Sequence, residues 1–444
     1  MYENMKELLD EKRYKELREI LVHTEPADIA ISFDEMTERQ RALLFRILPK
    51  ELAAEVFVEL DSDTQSNLIE GFSDSELKEV VDELYADDAV DIVEEMPANV
   101  VKRILRHAEP ELRKDINQML RYPPDSAGSI MTTEYVDLKR DMTVADAFTH
   151  IRRTGMDKET IYTCYVIDSN RILLGLVSVK DLLLSDYSRQ ISEIMETDII
   201  SVKTTDDQEY AAGLFEKYDF LAIPVVDNEN RLVGIITVDD AIDVIQEEAT
   251  EDIEKMAAIT PSDKPYLKTG VFETFRQRIP WLLLLMISAT FTGSIITNYQ
   301  NAFVSYSILT AFIPMLMDTG GNSGSQSSVT IIRGLSLGDI EFRDIFRVIF
   351  KELRVSFFCG LTLAAANFAK LMLLDRVGMQ ISLVVSITIV CTVMFAKVVG
   401  CTLPMVAKKI GFDPAVMASP FITTIVDAVS LIIYFNIAVT ILHI

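Results

Sequence analysis

The last hydrophobic stretch of the chain predicts a membrane helix with a polar stripe. Between Ala415 and Leu442 most residues are apolar, and Asp427 is the one side chain charged at neutral pH. A stretch of this length and apolarity is typical of a transmembrane helix. Five polar side chains recur along it at spacings of three or four residues and therefore share one helical face: Ser419, Thr423, Asp427, Ser430 and Tyr434.

A carboxylate inside such a helix costs about 3 kcal/mol on insertion scales, so its presence needs a reason. We interpret the stripe as the wall of a cation path, with Asp427 as its negative centre and Thr423 and Ser419 beside it. The alternative is a buried Asp that is hydrogen-bonded to a neighbouring helix.

Four more apolar segments precede this one, which gives five predicted spans: about 280–300, 303–332, 353–374, 381–407 and 415–442. Basic residues lie before the first span, between the second and third, and between the fourth and fifth: Arg276, Arg278, Arg333, Arg343, Arg347, Lys351, Lys408 and Lys409. The positive-inside rule then places residues 1–270 in the cytoplasm and the C-terminus outside.

The second span contains a glycine-rich segment that begins after Asp318, whose depth in the membrane the sequence does not decide. Gly320, Gly321 and Gly324 fall within five residues, with Asn322 between them. We expect a non-helical break whose backbone lines a watery cavity or a cation path, with these four residues at the pore. The alternative is a regular helix with a glycine-rich crossing point.

Lys397 is an unexpected charge in the fourth span. A cation beside a cation path would oppose conduction. We expect its ammonium group to snorkel to the cytosolic face, and pairing with a carboxylate is the alternative.

The first 122 residues contain a repeat of 12 residues. One apolar residue marks each unit: Met36, Leu48, Leu60, Phe72, Leu84 and Met96. Residues that favour helix starts often follow, such as Thr37 and Ser73. The pattern predicts a solenoid-like stack of short helices in residues 1–122.

Residues 125–247 contain a second, longer repeat. The segment from Gly175 to Asp181 is echoed by that from Gly234 to Asp240, 59 residues later. Each copy predicts strand–helix–strand–strand–helix, with the last helix capped by Ser178 or Thr237. The repeat resembles a tandem pair of CBS modules, here 125–188 and 189–247.

That resemblance implies a nucleotide site. In CBS modules the closing Asp can bind the ribose of an adenine nucleotide such as ATP, which singles out Asp181, with Lys180 beside it, and Asp240. Many CBS pairs bind no ligand, and these carboxylates are also ordinary residues for a helix N-terminus. Both interpretations stay open.

A helix predicted from Asp239 to Ala258 carries an acidic stripe: Asp240, Asp243, Glu247, Glu251 and Glu254. Like charges at these spacings repel one another. The stripe is either a solvated face or a surface that packs against other acidic groups when a divalent cation neutralises them. Residues 248–270 would connect it to the membrane domain.

Composition agrees with a chain of two different parts. Residues 1–270 hold 30 Lys and Arg against 59 Asp and Glu, a net charge of −29, whereas residues 271–444 have a net charge of +3. So acidic a region argues against nucleic acid as a partner. It suits metal cations, or it serves solubility alone. The four cysteines form no CxxC pair, so neither a disulfide framework nor a zinc site is predicted. No nucleophile–base pattern indicates an enzyme.

The order of these parts resembles the MgtE family of magnesium channels. The specific matches are the segments from Pro314 to Gly334 and from Asp413 to Asp427. The expected architecture is multidomain: an α-helical superhelical domain (1–122), an α/β tandem CBS pair, a connecting acidic plug helix (248–270), and a transmembrane domain of five helices (271–444).

The resemblance implies a homodimer in the plasma membrane, with a pore at the subunit interface and one Asp427 from each chain. It also implies that cytosolic Mg²⁺ closes the pore through three acidic sets: Glu55, Asp87 and Asp91; Asp207, Glu209 and Asp219; Asp240, Asp243 and Glu251. Mg²⁺ suits a few carboxylates with retained waters. The alternative function is a membrane-tethered CBS sensor of divalent cations or ATP without transport. A chloride-channel type of anion transporter is disfavoured by the lone carboxylate.

Overall fold

The computed structural model describes residues 2–262, 264, 266–299, 306–417 and 419–443, without the side chains of Tyr2, Asp157 and Ser419. The chain divides into two compact units, Met1–Ile245 and Gln246–Ile444. The first unit contains a helical stack and two small sheets, and the second contains the long apolar helices.

The helical stack consists of ten short helices. Their bounds are α1 (Tyr2–Asp10), α2 (Tyr14–Leu21), α3 (Pro26–Phe33), α4 (Glu38–Ile47), α5 (Lys50–Val58), α6 (Ser62–Gly71), α7 (Asp74–Val81), α8 (Ala86–Glu95), α9 (Ala98–His107) and α10 (Pro110–Met119). From α3 onward each helix begins 12 residues after the previous one. Helices two positions apart pack on each other, as α3 does on α5 and α5 on α7.

The 12-residue repeat and the capping residues explain this stack. The six repeating apolar residues are all buried, because each closes a short helix and points into the shared core. The side chain of Asp61 accepts a hydrogen bond from the backbone N–H of Thr64, and Ser73 accepts one from that of Glu76. These caps satisfy backbone donors at the helix starts. The predicted helical stack is confirmed.

Two three-stranded sheets follow. The elements are β1 (Val136–Lys139), α11 (Val144–Thr154), β2 (Thr163–Ile167), β3 (Leu173–Ser178), α12 (Val179–Leu184), α13 (Ile191–Ile194), β4 (Val202–Lys203), α14 (Gln208–Tyr218), β5 (Ala222–Val226), β6 (Leu232–Thr237) and α15 (Val238–Met256). In each sheet the first pair is parallel and the second antiparallel. The predicted strand–helix–strand–strand–helix order is confirmed. The boundary expected after residue 247 falls inside α15.

The two glycines of this repeat mark the contact between the modules. A Cβ atom on Gly175 would lie 2.8 Å from the Glu196 carbonyl oxygen, and one on Gly234 would lie 2.6 Å from that of Thr132. Each module therefore lays the segment before its own sheet across the last strand of the other. Only glycine leaves room for this approach.

After the end of α15, the described part of the second unit contains five long helices: α16 (Val271–Asn298), α17 (Ile313–Ser336), α18 (Ile345–Leu373), α19 (Met379–Lys409) and α20 (Ser419–Leu442). By length and composition, four stretches of the described chain could cross a membrane: Val271–Asn298, Phe342–Leu373, Met379–Lys409 and Ala415–Leu442. The remaining long helix, α17, is richer in Gly and Ser than the other four and packs against α19 and α20.

The prediction of a non-helical break in the second span is wrong. The segment from Gly320 to Gly324 lies within α17, which runs unbroken from Ile313 to Ser336. The glycines serve close helix packing instead. A Cβ on Gly400 of α19 would overlap the carbonyl oxygen of Gly324. Such crossings of small residues are common between membrane helices, because they let the backbones approach.

Candidate ion-recognition site and cytosolic acidic cluster

Asp427 lies near the middle of α20 and is half-buried. In the described part of the chain its carboxylate has no hydrogen bond or ion pair to another residue. The interpretation as a buried Asp held by a neighbouring helix therefore has no support in this arrangement. A carboxylate left without a protein partner at this depth suits a site that an ion or water occupies.

The polar stripe around Asp427 divides into two parts. Ser430 and Tyr434 are fully buried, and the Tyr434 hydroxyl donates a 2.9 Å hydrogen bond to the Leu309 carbonyl. This part of the stripe belongs to helix packing and does not line a path. Thr423 is half-buried, and its hydroxyl donates to the Pro420 carbonyl at 2.9 Å. The side chain of Ser419 lies outside the described part of the chain.

The predicted pore glycines lie directly against α20 and α19. A Cβ on Gly321 would lie 2.8 Å from Cγ2 of Thr423, and one on Gly320 would lie 2.8 Å from Cγ1 of Val426. Gly320 and Gly321 thus bring α17 onto the turn of α20 that carries Asp427. Because α17 is regular, its carbonyls are committed to helical hydrogen bonds, so they are not free to face an ion as expected.

One face of α17 next to this contact is polar and exposed within the chain. It carries Asp318, Asn322 and Gln326, at spacings of four residues. Asp318 and Asp427 are near enough to interact electrostatically. The sequence did not decide the place of Asp318. Its i, i+4, i+8 spacing with Asn322 and Gln326 was the available signal, and it was missed because a break was assumed there.

The expected snorkelling of Lys397 is wrong. Its side chain is 7% exposed, and its ammonium nitrogen lies 3.7 Å from a carboxylate oxygen of Glu352 on α18. The pairing alternative is the observed one, because Glu352 enters the same interior from the facing helix. The cation is therefore neutralised locally.

An acidic cluster lies in the first unit, between α8 and the sheets. It consists of Asp87, Asp88, Glu159 and Asp240, which interact electrostatically. Burial, followed by repulsion from Asp240, raises the pKa of Asp88 to about 7 and that of Glu159 to about 8. Burial also raises the pKa of Asp240 to about 6, against the Thr237 hydrogen bond, and raises that of Asp87 well above its ordinary value.

This cluster joins two of the predicted sensor residues, Asp87 and Asp240, and adds two that sequence reasoning missed. Asp88 follows Asp87 directly, but Glu159 lies in a loop with no periodic signal. The carboxylates destabilise one another as they stand. Within the described residues, no three His, Cys, Asp or Glu side chains converge at metal-ligand spacing. The cluster is therefore not a preformed metal site.

Most of the other predicted sensor residues are exposed. They are Glu55, Asp91, Asp207, Glu209, Asp219 and Asp243. Asp207 caps the start of α14 and Asp219 ends it, which places their backbones about 18 Å apart. One chain cannot bring this set onto a single ion.

Glu251, the last sensor candidate, already has a cation. The Lys255 ammonium group pairs with Glu251 on α15 and lies 2.7 Å from the Asp413 carboxylate, just before α20. Lys255 therefore does within this unit what a divalent cation was expected to do, and holds two carboxylates together.

The two CBS carboxylates lie in opposite surroundings. Asp181 is exposed beside the exposed Lys180, and it accepts a hydrogen bond from the Ser178 hydroxyl. Asp240 belongs to the acidic cluster, where a nucleotide phosphate would be repelled. Of the two, only the surroundings of Asp181 suit an adenine nucleotide.

Comparison with known proteins bears on the whole chain. Residues 313–437 match the family described as a divalent cation transporter, residues 24–125 match the MgtE intracellular N domain, and residues 127–186 and 191–247 match CBS domains. The magnesium transporter MgtE of Thermus thermophilus is 36% identical over 445 residues, which cover 98% of this chain and 97% of that protein. The chain belongs to the MgtE family.

Two further comparisons support the same assignment. The magnesium transporter MgtE of Bacillus subtilis is 34% identical over 98% of this chain and 96% of its own length. A solved cytosolic domain of the Mg²⁺ channel MgtE in complex with ATP is 37% identical, covers 55% of this chain and all of its own length, and has a TM-score of 0.53. The chain is thus a multi-pass membrane protein. Its full-length relatives are transporters rather than enzymes, in agreement with the sequence analysis.

Proposed function

We propose that this chain conducts Mg²⁺ across the plasma membrane along a path that passes Asp427. The observation that carries the proposal is the unpaired carboxylate in α20, next to the polar face of α17. Mg²⁺ sheds its waters reluctantly and is held by a few carboxylates with waters retained. Asp427, Asp318 and Asn322 supply oxygen ligands of this kind, without a His or Cys that would favour softer metals.

The path is completed by a second copy of the chain. Asp318, Asn322 and Gln326 are exposed on α17, and polar side chains do not face lipid without cost. A homodimer that places two such faces against each other supplies a watery path with two Asp427 carboxylates. The basic clusters support a cytoplasmic location for residues 1–270 and an external C-terminus.

Cytosolic Mg²⁺ closes this path. Asp87, Asp88, Glu159 and Asp240 repel one another in the metal-free chain, so a divalent cation that enters the cluster draws α8 toward the start of α15. Weak binding of Mg²⁺ at several such sites adds up, and it shifts the equilibrium between the open and the closed path over millimolar Mg²⁺. Closure at high internal Mg²⁺ provides negative feedback on uptake.

Asp427→Ala in reconstituted vesicles tests the transport proposal. Uptake of Mg²⁺ should be abolished while the variant still inserts, because the negative centre is lost. Asp375→Ala is the matched control, since Asp375 is an exposed carboxylate that pairs with Lys370 at the end of α18. Uptake by the Asp427→Ala variant at the wild-type rate would refute the proposal.

ATP binds at the CBS pair through Asp181 and Lys180 in this proposal. The support is the exposed Asp181 and Lys180 pair, together with the ATP complex of the 37% identical cytosolic domain. Calorimetry should detect ATP binding to the wild-type chain and a clear loss in Asp181→Ala. An unchanged titration in that variant would place the nucleotide elsewhere.

The alternative function, a sensor of divalent cations or ATP without transport, explains the acidic cluster equally well. It gives no role to Asp427, so vesicle uptake separates the two functions directly.

A further inference from the structure

Three polar side chains from three membrane helices meet inside the second unit. Ser327 of α17 donates a 2.6 Å hydrogen bond to Glu352 Oε2 of α18. Lys397 Nζ of α19 donates to Ser327 Oγ at 3.3 Å and lies 3.7 Å from Glu352 Oε2. The side chains of Lys397 and Glu352 are 7% and 13% exposed. We call these three residues the buried triad.

The buried triad is an all-or-none contact. A charge in an apolar interior is tolerated when a partner neutralises it, and an uncompensated buried charge is strongly destabilising. The Ser327 hydroxyl accepts from the ammonium group and donates to the carboxylate, so all three helices must keep their register for both charges to be satisfied.

The triad lies beside a close contact between two helices of the second unit. Ser327 follows Gly324 by three residues on α17, and Lys397 precedes Gly400 by three on α19. Gly324 and Gly400 are the pair whose backbones touch, since a Cβ built on Gly400 would overlap the Gly324 backbone. One turn earlier, α17 lays Gly320 and Gly321 onto α20 beside Asp427.

We propose that the buried triad fixes the register of α17 against α18 and α19 and thereby positions the polar face of α17 opposite Asp427. The residues of the buried triad are positioning residues, because the charges of Lys397 and Glu352 neutralise each other and the Ser327 hydroxyl bridges them. The triad has no role as an ion ligand. The inference rests on the proposed transport of Mg²⁺ past Asp427.

Lys397→Met in reconstituted vesicles tests the triad through the dependence of uptake on external Mg²⁺. A shifted α17 alters ion recognition, so the half-saturating Mg²⁺ concentration should rise about fivefold. A merely structural role would lower the maximal uptake and leave half-saturation unchanged. Lys370→Met is the matched control, because Lys370 forms an exposed ion pair with Asp375 at the far end of α18.

Two further variants keep the test decisive if Lys397→Met does not fold. Ser327→Ala removes the bridging hydroxyl without leaving a bare charge, and should raise half-saturation about twofold to threefold. The exchanged pair Glu352→Lys with Lys397→Glu retains both charges and should recover most of the loss. Wild-type half-saturation in Ser327→Ala and in any folded Lys397→Met would overturn the inference.

Failure of the proposed function is distinguishable from failure of the triad. Wild-type vesicles that take up no Mg²⁺ would overturn the transport proposal alone. Thermal unfolding then judges the triad: Lys397→Met and Glu352→Gln should each lower the Tm, and the double variant should lose less than their sum. Additive losses would overturn the triad itself.

Discussion

At the scale of single residues, the packing of the long helices in the second unit depends on positions that have no side chain. Gly400 has no room for a Cβ, because that atom would overlap a backbone oxygen of α17. Backbone cannot move aside as the tip of a flexible side chain can. Gly293 of α16, by contrast, has open space around it, with nothing within 4 Å of an added Cβ.

Gly400→Ala should therefore force α17 and α19 apart, lower the Tm of the detergent-solubilised protein, and reduce Mg²⁺ uptake roughly tenfold or more. Gly293→Ala is the control with the same added methyl group. It should leave uptake unchanged, because the added methyl group meets no other atom within 4 Å. Ala in a helix is also favoured over Gly by about 1 kcal/mol. A Gly400→Ala protein as stable as Gly293→Ala would contradict this account of the helix contact.

At the scale of elements, the contact between α8 and the start of α15 is held against electrostatic repulsion. The raised pKa values fix the sign of its pH dependence. A carboxyl group whose pKa is higher in the folded chain binds more protons there, so the folded state loses stability as pH rises. For Asp88 the loss begins near its ordinary pKa of about 4 and is complete above its folded pKa of about 7.

Asp88→Asn should remove this penalty, which amounts to at most about 4 kcal/mol. A fragment of residues 1–262 that carries Asp88→Asn should unfold at a higher temperature than the wild-type fragment at pH 8. The difference between the two should be smaller at pH 5. Added Mg²⁺ should stabilise the wild type more than the variant, since the variant has lost part of the repulsion that the cation relieves. Equal gains at both pH values would show that the cluster does not titrate as described.

At the scale of the whole molecule, the helical stack contributes Asp87 and Asp88 and the CBS pair contributes Glu159 and Asp240. The proposed closure by Mg²⁺ therefore needs both parts. Within the second unit, the ammonium group of Lys255 joins Glu251 to Asp413.

Deletion of residues 1–122 should leave uptake at low internal Mg²⁺ intact and shift closure to higher Mg²⁺. The reason is that one side of the acidic cluster is removed while α15 and the membrane helices remain. Vesicles loaded with graded internal Mg²⁺ would measure the shift. Closure of the truncated and full chains at the same concentration would exclude the stack from the sensor.

Features that arise from local pattern could be predicted correctly without the structure. The 12-residue repeat places one buried apolar residue per short helix, the CBS repeat specifies its strands and caps, and long apolar stretches become membrane helices. Asp427 was found in the same way, because a lone charge in an apolar helix is visible without any tertiary information.

Features that depend on partners distant in sequence could be known only from the packed structure. Glycines predict a flexible backbone when read locally, yet Gly320, Gly324 and Gly400 are helical because facing helices fill the space that their missing side chains leave. Lys397 pairs with Glu352, 45 positions away, and Glu159 meets Asp88 across two domains. No local pattern specifies such meetings, since they result from how the helices and sheets pack.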